Sequence, residues 1–275
     1  MKHRLIYSTI FTMLLILLAG CSVSQPLQRS QNMNISAQKN NNLQKLVHTD
    51  PEFTAMYKTF RNEQINNINV LTNKQKYLTY IVALAVQQSL PQLQREVIDA
   101  LAQNVSALEI REALYIAAPF CGFAKIENAL VAVNAVFEEA GIQLPLSSPT
   151  IAPNEQRFAE GKDIQQTLYG DVIQQKYAQL PEPYNQAIPH QLTSLLFGEL
   201  YTRQGINIQT KELLVLVTLA TLGAEKQLVS HTRGNLKVGN SKAMLIGAMV
   251  HCLPVLGFPA MFNAINVIEA TDLKN

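Results

Sequence analysis

The chain has 275 residues, of which 48% are hydrophobic, and 22 basic and 20 acidic residues give it a formal net charge of +2. Without Lys2 and Arg4, which precede an expected cleavage point, 20 basic and 20 acidic residues remain. No basic run is left that could follow a phosphate backbone, which excludes nucleic acid as a partner.

Residues 1–20 are predicted to be a secretory signal, because a basic start is followed by a short apolar stretch that ends in Leu18-Ala19-Gly20-Cys21. These four residues resemble a bacterial lipobox, in which the cysteine becomes the lipid-modified first residue. A plain signal peptide is the alternative. Ser22 follows instead of an acidic residue. We therefore expect a lipoprotein that is anchored to the membrane through Cys21 and faces the periplasm, with the outer membrane favoured over the inner one.

The rest of the chain contains the same unit twice, 135 residues apart. Lys76–Ala135 aligns without a gap on Lys211–Ala270, so that a Pro-x-x-Gly-Phe motif occurs at 119–123 and again at 254–258. A unit of this length is a duplicated small domain, since solenoid repeats are shorter. We expect a flexible tether over 21–45, a first repeat over 46–145, a linker over 146–185 and a second repeat over 186–275.

Both repeats are predicted to be helical, and strand signals are nearly absent. In the first repeat, Ser106 is expected to cap a helix that ends before Pro119. In the second, Thr210 is expected to cap a helix that Gly223 ends, and Ser241 to cap a later one. Two further cysteines, at 121 and 252, are not equivalent in the repeats. Two buried free thiols are therefore favoured over a disulfide, although the expected compartment would permit a disulfide.

Five sequence motifs resemble those of the carboxymuconolactone decarboxylase family in their order and spacing. This family includes the AhpD-like alkylhydroperoxidases. The resemblance extends over about residues 50–269. It implies an all-α, AhpD-like fold with two tandem repeats, and a homo-oligomer that would be a trimer of fused dimers. The motifs are Phe197–Arg203, Lys211–Leu214, Gln227-Leu228-x-x-His231, Gly234-Asn235-Leu236-x-x-Gly239-Asn240-Ser241, and Pro254–Ala264.

The resemblance also implies candidate site residues. In the peroxidase branch a glutamate, a CxxC pair and a histidine act together, and the positions here are Glu212, Ala224, Gln227 and His231. Without the two thiols, disulfide exchange is excluded at this site. The decarboxylase branch needs no thiols, so Glu212 and His231 remain candidate catalytic residues.

In a hairpin centred on Gly223, Glu212 and His231 would lie at the same height along the two antiparallel helices, to within about one helical turn. His231 could then act as a general acid or base. Gln227 lies one turn before it and is the third candidate catalytic residue.

Arg203 is a candidate for binding a substrate carboxylate, and His251 could supply a second imidazole. The alternatives are an ion-pair role for Arg203 and a buried structural role for His251. In the first repeat, Tyr77 and Glu96 replace the Glu212–His231 pair. Any active site is therefore expected in the second repeat.

Three functions are compatible with these features. The first is a cofactor-free lyase or isomerase that acts on a small carboxylate or lactone. The second is a non-catalytic, membrane-anchored binding or assembly protein, which the lipid anchor favours. The third, a peroxiredoxin-like redox protein, is disfavoured by the missing CxxC. No metal site is expected, because the five histidines lack ligand spacing.

Overall fold

The computed structural model describes residues 42–68, 70–149 and 151–273. The expected signal, Cys21 and most of the expected tether lie outside these ranges. The structure is 77% helical, and no strand occurs in the described ranges, which confirms the all-α prediction. In chain order the elements are α1 (Asn42–Thr49), α2 (Pro51–Lys58), the π-helix π1 (Thr59–Ile65), α3 (Asn73–Val86), α4 (Leu90–Ala102), α5 (Ala107–Cys121), α6 (Phe123–Glu139), α7 (Asn154–Tyr169), α8 (Val172–Tyr177), α9 (Tyr184–Leu192), the π-helix π2 (Thr193–Tyr201), α10 (Ile208–Leu222), α11 (Glu225–Lys237), α12 (Lys242–His251) and α13 (Leu253–Ala270).

Local side-chain and backbone chemistry begins or ends several of these helices. The Ser106 hydroxyl accepts from the N–H of Glu109, whose carboxylate accepts in return from the Ser106 N–H, so α5 begins with a capping box. Ser241 caps α12 in the simpler way. Gly223 ends α10 in the left-handed conformation with φ 67°. These three predicted boundaries are confirmed.

Two predicted boundaries are wrong. The cap of α10 is Asn207, whose side chain accepts from the N–H of Thr210, so Thr210 already lies in the first turn of the helix. Helix α5 continues through Pro119 and ends at Gly122, where φ is 89°. A proline this close to the end of a helix removes one late hydrogen bond without ending the helix.

The two repeats pack on each other through their central helices, α3 and α10. Both helices contact α5, and they contact each other. Residues 78–86 of α3 and 211–220 of α10 are all buried, including the polar positions. A helix that is buried around its whole circumference needs neighbours on every side. The junction between the repeats therefore forms part of one continuous core.

A lysine at equivalent positions of both repeats holds the loop before the central helix. Lys76 Nζ donates to the carbonyl of Asn66 at 3.0 Å, and Lys211 Nζ donates to the carbonyl of Tyr201 at 2.8 Å. Donor and acceptor are both offset by 135 residues, so the contact itself is duplicated. Burial lowers the pKa of Lys211 to about 8.

The linker helix α7 crosses π2 at a very short distance. A Cβ atom on Gly161 would lie 2.3 Å from the backbone nitrogen of Gly198, so only glycine fits at this crossing. An ion pair between Arg157 and Glu199 joins the same two helices. The crossing places Tyr169, the last residue of α7, beside the second repeat.

Helix α13 is long and apolar enough to cross a membrane by length and composition alone. Core helices of soluble proteins meet the same criterion. The backbone of α13 kinks at Gly257, where φ is 74° and ψ is 159°, and Met261, Ala264 and Ile268 are buried. Within the described residues, α13 packs against α11 and α12 as part of the helical core.

Candidate active site

Glu212 is the centre of a buried polar cluster in the second repeat. It lies in the second turn of α10 and has no solvent exposure. The hydroxyl of Tyr201 donates to its Oε1 at 2.5 Å, and the hydroxyl of Tyr169 lies 2.7 Å from both carboxylate oxygens. Two phenol hydroxyls therefore converge on one buried carboxylate.

Both phenols remain protonated over the physiological range. Burial and the negative charge of Glu212 raise the pKa of Tyr169 and that of Tyr201 well above the usual value. Each hydroxyl therefore has a proton to donate, and the Glu212 carboxylate can only accept. This fixes the direction of the hydrogen bonds at the carboxylate.

His231, on α11, completes the cluster. Its Nδ1 atom lies 2.8 Å from the Tyr169 hydroxyl oxygen and 3.4 Å from Glu212 Oε2. Because the Tyr169 proton points to the carboxylate, Nδ1–H donates to the tyrosine oxygen in the tautomer that fits best. The hydrogen bonds then run from His231 through Tyr169 to Glu212, and we call these three residues the relay.

The hairpin formed by α10 and α11 positions the relay, as the spacing around Gly223 predicts. The Asn235 side-chain amide reinforces the hairpin by donating to the carbonyl of Glu212 at 2.9 Å and to that of His231 at 2.8 Å. The Asn240 amide donates in turn to Asn235 Oδ1 at 2.7 Å. Asn235 and Asn240 thus hold the two helices at a fixed separation.

Gly234 leaves the space that Tyr169 occupies. A Cβ atom at this position would lie 2.4 Å from the Tyr169 hydroxyl oxygen and 2.7 Å from Glu212 Oε2. Both atoms belong to the relay, and neither could move without breaking its hydrogen bonds. Within the Gly-Asn-Leu motif, the glycine therefore makes room for the relay and the asparagine aligns it.

Three parts of the chain meet at His231. Tyr169 comes from the linker, and Phe120 comes from the first repeat, where its ring meets the imidazole edge-on at a centroid distance of 5.3 Å. The solvent-exposed fraction of the His231 side chain is 11%. Since Nδ1 is engaged by the relay, Nε2 is the ring nitrogen available to a substrate.

Gln227 is exposed in the first turn of α11 and takes no part in the hydrogen bonds of the relay. It lies one turn from His231, as the sequence indicates. A role in binding or catalysis for Gln227 remains a prediction.

Arg203 is held by an ion pair between the repeats. Its Nε and Nη2 donate to the two carboxylate oxygens of Glu112 at 2.7 and 3.0 Å, and only 3% of the Glu112 side chain is accessible. The pKa of Arg203 is raised, chiefly by these hydrogen bonds to Glu112. The arrangement corresponds to the ion-pair alternative, and the described contacts of Arg203 do not include the relay.

His251 is packed against the first repeat. Its ring meets Tyr80 edge-on at a centroid distance of 5.7 Å, and it lines a cavity with Arg61 and Glu96. Tyr77 and Glu96, the counterparts of Glu212 and His231, border this cavity and have no described contact with the relay.

The two remaining cysteines are free, as predicted. Cys252 is fully buried, and burial raises the pKa of its thiol to about 12. Cys121 is half-buried, and burial raises its pKa too. Both side chains are protonated thiols at neutral pH, which is the opposite of what a redox-active cysteine requires.

Four residues of the site were not predicted as such from the sequence. Tyr201 and Asn235 lie inside the family motifs given above, so the sequence could have indicated them as site residues. Tyr169 and Phe120 lie in other parts of the chain, and only the packing of the linker and the first repeat brings them to His231.

These features define an all-helical tandem-repeat protein with one buried carboxylate–tyrosine–histidine relay. The model of the carboxymuconolactone decarboxylase family matches residues 51–135 and 186–270, two segments with the same 135-residue offset. The chain therefore belongs to the carboxymuconolactone decarboxylase family, with two family domains in tandem.

Individual proteins similar to this chain include a curated enzyme and a solved structure. The 4-carboxymuconolactone decarboxylase of Acinetobacter baylyi is 26% identical over 116 residues, which cover 42% of this chain and 87% of that protein. A solved structure from Burkholderia xenovorans LB400, assigned provisionally as a gamma-carboxymuconolactone decarboxylase subunit, superposes with a TM-score of 0.52. It is 20% identical and covers 89% of this chain and 96% of its own, so it supports the fold alone.

Proposed function

We propose that the protein is a cofactor-free lyase or isomerase that acts on a small carboxylate or lactone, with His231 as the general acid or base. The observation that carries the proposal is the relay, in which a buried carboxylate is linked through Tyr169 to Nδ1 of a histidine whose Nε2 is available. The similarity to the Acinetobacter decarboxylase makes 4-carboxymuconolactone the first substrate to test.

The reaction would proceed by loss of CO2 and protonation of carbon. As the bond between the lactone ring and its carboxylate breaks, the electron pair moves into the conjugated carbonyl system and CO2 leaves. The protonated imidazole of His231 then delivers the Nε2 proton to carbon, and solvent restores it. The Glu212 carboxylate, 3.4 Å from Nδ1, would face the ring during this step.

The relay would serve this step by orienting the imidazole. Among the described residues, His231 is the basic side chain found within ion-pair distance of Glu212. Tyr169 and Asn235 fix the ring and the helix that carries it, so Nε2 points in one direction for proton transfer.

The direct test of the function is turnover by the purified full-length protein. We expect loss of the ultraviolet absorbance of 4-carboxymuconolactone, release of one CO2 per lactone consumed, and, in D2O, one deuterium incorporated at carbon. Related carboxy-lactones and lactone isomers form the rest of the panel. If the protein converts none of these compounds, the catalytic proposal is wrong, and a non-catalytic binding or assembly protein becomes the better account.

We also propose that the protein is a periplasmic lipoprotein, anchored through Cys21 to the outer membrane. The support is the Leu18–Cys21 sequence and the polar segment after it. Mass spectrometry of the mature N-terminus is expected to find a lipid-modified cysteine as the first residue. A chain that begins at Met1, or an unmodified N-terminus, would contradict the proposal.

We further propose that this fused dimer assembles into a homo-oligomer, the trimer that the family resemblance implies. An aromatic cluster formed by the exposed rings of Phe258 and Phe262 and the partly buried ring of Phe60 supports further assembly. Phe258 and Phe262 are 54% and 53% exposed, and their ring centroids lie 5.7 Å apart. Contiguous exposed apolar surface of this kind is typical of protein interfaces.

A further inference from the structure

The first repeat contains a cavity at the position that corresponds to the relay. The cavity has a volume of about 270 Å³ and lies between the first repeat and the end of α12. Ligand pockets for drug-sized molecules begin at about 300 Å³, so this cavity suits a smaller molecule. Its lining includes Arg61, Asn66, Lys76, Tyr77, Glu96 and His251.

Three buried nitrogen atoms at this cavity have no hydrogen bond of normal geometry among the described residues. They are Nη1 of Arg61 and both ring nitrogens of His251, a residue that is only 6% exposed and whose ring is approached by the backbone of Lys76. A buried polar group without a partner costs about 1–3 kcal/mol, and such groups are rare in native proteins. Their convergence on one cavity makes it a candidate binding site for a polar molecule.

The Arg61 side chain is positioned firmly enough to form a binding site. Its Nη2 atom donates to both carboxylate oxygens of Glu96 at 2.9 Å, and its guanidinium carbon lies 3.7 Å from the centroid of the Tyr80 ring. His251 packs against the edge of the same Tyr80 ring. One tyrosine therefore fixes both groups that carry the unpaired nitrogens.

The charges at the cavity favour a monoanion. Glu96 offsets Arg61, and Lys76 adds one positive charge, while burial together with Arg61 and Lys76 lowers the pKa of His251 to about 3 and keeps the ring neutral. A dianion such as phosphate would meet the Glu96 carboxylate with only one excess positive charge in the lining. A monoanionic carboxylate matches that charge, and its two oxygens can accept from Arg61 Nη1 and from the N–H of His251.

The two repeats differ at the positions of Arg61 and His251. The residue of the second repeat that is equivalent to Arg61 is Leu196, and the residue of the first repeat that is equivalent to His251 is Ile116. Both counterparts are apolar and cannot bind an anion. Arg61 and His251 are therefore not part of the framework that the two repeats share, whereas Lys76 of the same lining has a counterpart in Lys211.

We propose that this cavity is a second ligand site, distinct from the relay, that binds a small organic monocarboxylate between the two repeats. The Arg61 guanidinium would hold the carboxylate from the first repeat, and His251 would hold it from the second. The ligand would thus bridge the two halves of the chain.

The test is calorimetric titration of the purified full-length protein with acetate, lactate and benzoate, accompanied by thermal unfolding at each concentration. At least one of the three is expected to bind with about 1:1 stoichiometry and to raise the melting temperature as its concentration increases. His251→Ile, which copies Ile116, is expected to weaken that binding by about 10-fold or more.

Two further variants locate the site. Arg61→Leu combined with Glu96→Gln copies Leu196 without leaving a buried unpaired carboxylate, and is expected to abolish binding. His231→Ala is expected to leave binding unchanged. If His231→Ala abolishes binding and His251→Ile does not, the carboxylate binds at the relay, so this inference is wrong while the proposed function stands. If none of the three carboxylates binds, ordered water fills the cavity and the inference is overturned.

Discussion

Replacing His231 with glutamine is expected to lower kcat for 4-carboxymuconolactone, or for the lactone identified in the substrate panel, by about 10²–10⁴-fold, the range that a positioned general acid contributes. A glutamine amide can keep a hydrogen bond to Tyr169 but cannot transfer a proton to carbon. KM should change little, because the variant keeps the volume and polarity of the site. Steady-state kinetics would separate the two constants, and circular dichroism would confirm that the helices are intact.

The matched control is His190→Gln, the same substitution at an exposed histidine on α9, which stacks on Phe158. Its kcat is expected to equal that of the wild type. A His231→Gln rate within about tenfold of the wild type would mean that the proton comes from another group. In that case the relay would be a structural feature of the α10–α11 hairpin.

Replacing His251 with isoleucine is expected to remove a pH dependence of stability. Burial, together with the charges of Arg61 and Lys76, lowers the pKa of His251 to about 3, against 6.5 in the unfolded chain. Between these values the unfolded chain binds a proton that the native protein does not. The free energy of unfolding of the wild type therefore falls as the pH decreases from 6.5 towards 3, by about 2 kcal/mol at pH 5.

Urea denaturation at pH 7.5 and pH 5, in buffers free of carboxylates, would measure this difference. Three other groups face the His251 ring, namely Tyr77, Tyr80 and Glu96, and their titration is shared by both proteins and largely cancels in the comparison. The wild type should lose about 2 kcal/mol more than His251→Ile between the two pH values. Equal losses would show that the native protein accepts a proton at His251.

Much of the local structure could be predicted because it depends on neighbouring residues. Ser106 and Ser241 cap helices through hydrogen bonds to residues three positions away, and Gly223 ends a helix because it adopts a positive φ at no steric cost. The same local reasoning assigned a cap to Thr210 and a helix end to Pro119. Both assignments were wrong, because Asn207, three residues before Thr210, caps one helix, and Gly122, three residues after Pro119, ends the other.

The pairing of Glu212 with His231 was also predictable, since both residues belong to one hairpin and the chain between them is short. The third member of the relay was not. Tyr169 is 43 residues from Glu212 along the chain, and it ends a polar helix whose pattern indicates only a connection between the repeats. Its place in the relay depends on how closely α7 approaches π2 at Gly161 and Gly198.

The all-α class, the duplication and the absence of a Glu212–His231 pair from the first repeat all follow from the order of the residues, because helix periodicity, capping and repeat identity are local properties of the chain. The partners of the long polar side chains depend instead on packing between distant segments. Arg203 and Glu112 are 91 residues apart, and His251 of the second repeat lies against Tyr80 of the first. Burial requires the charges of Arg203 and Glu112 to be paired, and the packing of the two repeats on each other sets which side chains meet.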